Sequence, residues 1–201
     1  MKNKTLLPIL SVLTLLLAGC SGVMDSKQTA KQYYMLAPWS GAAAASSAAQ
    51  GAALTMKVSA VPGLDTDRVQ ALSSDARLNH YANARWPDHL PEVLTSVVKR
   101  SLAASGLFSE VTEGTHASGD GWLLKLEVQQ FYGIQNASGN TSAVRIEMTG
   151  SIECKDNRGS FTLSDSNSVA EERLSAIVSA HQKGLDEVTR QLLDQISKTC
   201  P

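Results

Sequence analysis

Aromatic side chains are scarce in this chain: Phe, Tyr and Trp make up 5% of its 201 residues. Their clustering at Tyr33, Tyr34 and Trp39 is therefore notable. Neither sign of charge dominates, with 18 basic against 19 acidic residues. No basic stripe or basic-aromatic interleaving occurs, and no nucleic-acid partner is expected. Beyond the N-terminus no apolar run is long enough to span a bilayer. The sequence also lacks G-x-S-x-G, H-E-x-x-H, C-x-x-C and G-x-x-x-x-G-K-[ST], so the common hydrolase, zinc, redox and P-loop signatures are missing. Four histidines, His80, His89, His116 and His181, are scattered without ligand spacing. His181 falls near the apolar side of a predicted helix, where a core role suits it better than metal binding. His116 to Asp120 holds hydrolase-type residues, but a turn accounts for them. No catalytic residue, metal or enzyme activity is expected.

What the chain does have begins at its N-terminus. Lys2 and Lys4 precede a short apolar stretch, Leu6 to Leu17, interrupted by Pro8, Ser11 and Thr14. This is the layout of a secretory signal. Leu17-Ala18-Gly19-Cys20 resembles a bacterial lipobox, in which the cysteine thiol receives a diacylglyceryl group and becomes the first mature residue. The alternative is an ordinary signal peptide cut after an A-x-A-like site. Each buried methylene contributes roughly 0.8 kcal/mol, so two or three chains on Cys20 anchor the protein effectively permanently. The covalent lipid on Cys20 is the only added group expected, and no other cofactor is. Ser21 stands where an Asp would retain an enteric lipoprotein in the inner membrane, which favours the periplasmic face of the outer membrane. Losing residues 1–19 removes two lysines and takes the net charge from −1 to −3.

Three regions follow: a signal at 1–19, a lipidated tether and Ala-rich linker at 20–53, and a single domain at 54–201. Within the tether, Tyr33 to Pro38 is a compact apolar segment that reads as an edge strand or docking segment. Ser40 to Ala53 is Ala/Ser/Gly/Gln-rich with no apolar stripe and reads as a mobile linker. In the domain, Leu54, Met56, Val58 and Ala60 alternate up to Pro62-Gly63. Weaker strands are predicted at Arg68–Leu72 and Leu78–Ala82. Asp88 is placed to cap a helix carrying Leu90, Val93, Leu94, Val97, Val98 and Leu102 on one face. Gly106 ends it, and a short strand near Val111 follows.

The second half alternates more plainly. Trp122, Leu124, Leu126, Val128 and Tyr132 share one face of a predicted strand, interrupted by Gln130. Val144, Ile146, Met148, Ile152 and Cys154 share one face of the next. Asp156 to Gly159 is a predicted turn before a strand with Phe161 and Leu163. A helix over about Glu171–Ser197 buries Leu174, Ile177, Val178, Leu185, Val188, Leu192 and Ile196, and Gly184 inside it allows a bend. The expected fold is α+β, an antiparallel sheet with both helices packed on one face.

Cys154 and Cys200 form an even pair in an exported chain. The strand after Cys154 covers about 36 Å at roughly 3.3 Å per residue. The last helix covers about 39 Å at 1.5 Å per residue. If the helix packs back along that strand, Cys200 returns to Cys154. The alternative is two unpaired thiols. Tyr81, Arg85 and Trp86 have residue types enriched at interface hot spots and form a candidate partner surface. Equally, Tyr81 and Trp86 can cover the base of the core.

Taken in order, these pieces resemble the ABC-type transport auxiliary lipoproteins, the PqiC-like family. The features are Cys20, Tyr34 to Pro38, the strand ending at Val61-Pro62-Gly63, Tyr81 to Trp86 running into Leu90–Leu102, Ser105 to Phe108, the paired long strands and the last helix. The Ala-rich insert at 40–53 departs from the family pattern. The resemblance implies a periplasmic accessory of a lipid-transport system built from an inner-membrane permease and an MCE-domain protein. In that picture the lipoprotein docks the MCE conduit at the outer membrane, as a ring-like homo-oligomer. The competing reading is a structural or assembly lipoprotein of the outer membrane.

Overall fold

The structure is a computed structural model and describes residues 30–41 and 51–201. Cys20, the signal segment and most of the Ala-rich linker lie outside the described residues. Lys31–Pro201 forms one compact unit. Its elements are β1 (Gln32–Tyr33), β2 (Ala52–Ala60), a 3-10 turn (Pro62–Leu64), β3 (Arg68–Leu72), β4 (Leu78–Arg85) and α1 (Leu90–Ala104). These are followed by β5 (Phe108–Glu113), β6 (Trp122–Gln135), β7 (Thr141–Cys154), β8 (Asn157–Ser168) and α2 (Leu174–Thr199).

Eight strands form one open sheet arranged around β6. One edge of β6 pairs with β7 along nearly its whole length, and β8 pairs beyond β7. The other edge is shared: β2 pairs with its first half, from Leu54↔Trp122 to Ala60↔Val128. β3 then takes the far end at Ala71↔Gly133 and Leu72↔Ile134. β5 lies outside β2, and β4 then β1 lie outside β3.

The sheet is mixed, which corrects the purely antiparallel expectation. β1–β4, β2–β5, β2–β6 and β3–β6 are parallel pairs. α1 carries the chain back so that β5 starts again beside β2, and residues 114–121 then cross β2 to reach its other edge. Gly121 makes this crossing without a side chain: a Cβ there would lie 2.9 Å from the Ala53 carbonyl oxygen. Buried parallel strands usually read as continuous apolar runs. Here β2 and β6 alternate because the helices cover only one face of the sheet, so the pattern imitates an antiparallel one.

Both helices pack on that face, as expected. α1 lies against β2 and β5, and α2 against β7 and β8. Between helices and sheet, Leu54, Met56, Leu124, Ile146, Met148, Ile152, Leu94, Leu102 and Ile196 form a continuous, fully buried core. The face alternation holds up to a bulge in β6, where Val128 pairs with Met148 but Gln130 pairs with Glu147. The extra residue flips the strand. Phe131 therefore joins the core beside Ile146, and Tyr132 turns to the other face with Arg145, contrary to its expected place.

Local boundaries also shift. α1 is capped at His89 and has Pro91 in its first turn, while Asp88 accepts the His89 N–H at 2.7 Å. The β7–β8 turn is Lys155-Asp156, with Cys154 opposite Asn157. At Gly184, α2 continues as one helix, and a Cβ there would sit 2.9 Å from Ile146 Cδ1. The glycine lets α2 approach the sheet. At the end of α2, Cys154 and Cys200 are joined, with Cα atoms 6.1 Å apart.

Candidate functional site

The chain leaving the tether enters the domain through a clasp. Two residues of β1 add to the end of β4, and the Tyr34 N–H donates to the Arg85 carbonyl at 2.9 Å. Leu36 then inserts its side chain into the core and is 3% exposed. An extended segment needs partners for its backbone groups, and helix side chains supply them. Gln182 of α2 accepts from the Ala37 N–H at 2.8 Å and donates to the Ala37 carbonyl at 3.1 Å. Ser101 of α1 accepts from the Trp39 N–H at 2.9 Å and donates to the Val97 carbonyl at 2.9 Å. The segment is thereby tied to the last strand of one arm of the sheet and to both helices.

The Gln182 amide acts as a rung of a β-ladder, and α2 repeats the device. Gln191 accepts from the Ser164 N–H at 3.2 Å and donates to its carbonyl at 3.1 Å. This pairs backbone groups on the outer edge of β8, a position otherwise open to strand addition. A carboxylate orients each amide: Asp186 accepts from Gln182 at 2.9 Å, and Glu187 from Gln191 at 3.0 Å. The Arg190 guanidinium, helped by the Gln191 amide, pulls the Glu187 pKa down to about 2.

Beneath the clasp lies an aromatic cluster. Trp86, 1% exposed, stands edge-on to Phe131 at 5.8 Å and to His181 at 5.5 Å between ring centroids. His181 Nδ1–H donates to the Ile177 carbonyl at 2.9 Å. Its Nε2 is buried with no partner among the described residues, and burial pushes the imidazole pKa down to about 4. His181 is a neutral core residue, in keeping with its place on the apolar face.

The candidate partner residues are used inside the domain. Trp86 is in the core. Arg85 is buried, donates to the Ala84 carbonyl at 2.8 Å and lies 3.5 Å from the Asp67 carboxylate. Tyr81 is half-buried, with its hydroxyl 2.5 Å from that of Thr141. Together they close the base of the core and present no exposed hot spot.

The remaining histidines occupy separate surroundings. His80 lies 2.6 Å from Arg68 Nη1, and partial burial with that guanidinium lowers its pKa. His89 Nδ1 lies 2.9 Å from Asp65, whose hydrogen bond raises it, with Glu92 alongside. All three of these groups are exposed. His116 stands exposed in the β5–β6 loop. The uncovered face of the sheet carries a polar groove of about 630 Å³, lined by Ser59, Lys125, Glu127, Thr149, Ser151 and Thr162. The sequence marks Tyr33 to Pro38 as an edge strand or a docking segment, and the clasp combines a two-residue strand at Gln32–Tyr33 with a docked stretch after it. Sequence reasoning missed Gln182, Gln191 and Ser101, for which the only sequence signal was Ser101 interrupting an apolar stripe.

A family model described as ABC-type transport auxiliary lipoprotein component matches residues 34–193. That span starts in the clasp and ends within α2. Among solved structures, a Xanthomonas campestris protein is 21% identical, with a TM-score of 0.67 over 83% of this chain and 95% of its own. A second crystal structure, of an uncharacterized protein, is 16% identical, with a TM-score of 0.64 over 83% of this chain and 99% of its own. Both share the fold. No curated protein matches the sequence significantly.

Proposed function

The chain belongs to the ABC-type transport auxiliary lipoproteins, and from that premise we propose that it is a periplasmic accessory of a lipid-transport system, anchored in the outer membrane by lipid on Cys20. Its task is to dock a periplasmic MCE-domain protein, which an inner-membrane permease serves, at the membrane. The protein acts by holding a surface in place, as a homo-oligomer in which several clasped domains stand around the conduit.

The clasp is the observation that carries this reading. A lipid tether turns one particular side of a domain to the membrane only if it joins that domain at one fixed place. Here the incoming chain is fixed to β4, α1 and α2 within a few residues of its entry. Cys20 and Ser21 support the lipid and the choice of membrane. Affinity purification of the full chain from detergent-solubilised envelopes tests the reading. Recovery of an MCE-domain protein and its permease is expected. Recovery of a β-barrel assembly factor in their place would favour a role in outer-membrane assembly and overturn it.

A further inference from the structure

Among the described residues, the large apolar side chains most exposed to water are Tyr33, at 60%, and Met35, at 71%. The third, Leu78, is 41% exposed and belongs to the β3–β4 hairpin. Tyr33 and Met35 are two positions apart in an extended segment. Their backbone is held firmly, by β4 on one side and by Gln182 at Ala37 on the other. The residue that turns inward is Leu36. Beside Met35 lies a small recess of about 210 Å³ lined by Leu36, Val93 and Val97 and by the charged Asp88, Glu92 and Arg100. The clasp thus holds two apolar side chains out from the surface, next to a hollow with both apolar and charged walls.

We propose that the Tyr33–Met35 shelf rests against the lipid bilayer, at the interface of the membrane that carries the anchor. This depends on the lipidation of Cys20 proposed above. Tyr33 follows Cys20 by thirteen positions, so at about 3.5 Å per residue the shelf is never more than about 45 Å from the attachment point. Its strand, β1, is the first element after Cys20 among the described residues. A tyrosine, with an apolar ring and a polar tip, suits the headgroup region, and a flexible methionine suits the layer beneath it. Contact there would fix the tilt of the domain as well as its distance from the membrane.

The test uses the full lipidated chain in phosphatidylcholine vesicles. With Cys154 and Cys200 joined and Cys20 acylated, Met35→Cys introduces a free thiol that can carry an environment-sensitive fluorophore. Ser160→Cys, on the uncovered face of the sheet, provides the comparison. Vesicles containing doxyl-labelled phosphatidylcholine should quench the probe at 35 about threefold more than the probe at 160. Equal and weak quenching at both positions, in protein that floats with the vesicles, overturns the shelf and leaves the anchor standing. A probe at 35 that is shielded from water yet unquenched has met a second copy or another protein, and that also overturns it. Protein that fails to float and lacks the diacylglyceryl mass on Cys20 disproves the anchor, and the shelf with it.

Discussion

The domain is tied together at two places by different means, and the contrast separates stability from positioning. At one end of α2, a covalent bond joins Cys200 to Cys154 at the β7–β8 hairpin. Nearer the other end, Gln182 holds the incoming chain through two hydrogen bonds, reinforced by the buried Leu36. The first tie closes a long loop and acts chiefly on the unfolded chain. The second contributes one core side chain, Leu36, and decides where the tether joins. The same helix serves both, so its seating on β7 and β8 links the staple to the clasp.

Removing the staple should have the largest effect. Replacing both Cys154 and Cys200 with alanine should cost about 4 kcal/mol in urea unfolding, because the bridge closes a loop of about 47 residues. The buried residue of the clasp should come next. Leu36→Ala leaves a cavity in the core and should cost about 3 kcal/mol. It should also expose the 31–41 segment to proteolysis while the rest of the domain stays resistant.

A third prediction probes the cluster beneath the clasp. The His181 pKa is about 4 in the folded protein against 6.5 when unfolded, so the unfolded state binds the proton first as pH falls. His181 therefore contributes no penalty above pH 6.5, and stability declines from there towards pH 4. At pH 5 the loss should be about 2 kcal/mol relative to pH 7.5. Unfolding at the two pH values should show that His181→Leu removes this difference; an unchanged slope would place the sensitivity elsewhere. The smallest effect belongs to Gln182→Ala, about 1 kcal/mol. Its sharper readout is hydrogen exchange, which should speed up at Ala37 and stay unchanged at Ser164, where Gln191 provides the same kind of rung.

Much of this arrangement was legible in the sequence. Val93, Val97 and Leu102 announce α1 through their helical period, and Leu124, Ile146 and Met148 announce strands through alternation, because one face of each element is buried. Strand direction was not legible: alternation fixes which face is buried and says nothing of whether β6 runs with or against β2. The bulge at Gln129 and Gln130 showed in the sequence only as Gln130 interrupting the apolar face, which does not tell that an inserted residue moves Phe131 inward and Tyr132 outward. Trp86 shows a third limit. Its residue type suits both a hot spot and a core, and only the packing of α2 over it decides for the core. The disulfide was foreseeable on one condition, that the last helix packs back along β8, because the two lengths then bring Cys200 to Cys154. The clasp segment could be recognised at Tyr34 to Pro38, but its partner Gln182 lies 145 residues away and an exposed-looking glutamine carries no pattern.

The claim on which the rest depends is that the domain works from a lipid anchor at Cys20 in the outer membrane. Density-gradient fractionation of cell envelopes containing the full chain or its Cys20→Ser variant tests it most directly. The full chain should band with the outer membrane and carry the diacylglyceryl mass on Cys20, and the variant should leave that fraction. A full chain that bands with the inner membrane, or is recovered without lipid in the soluble periplasm, would contradict the account.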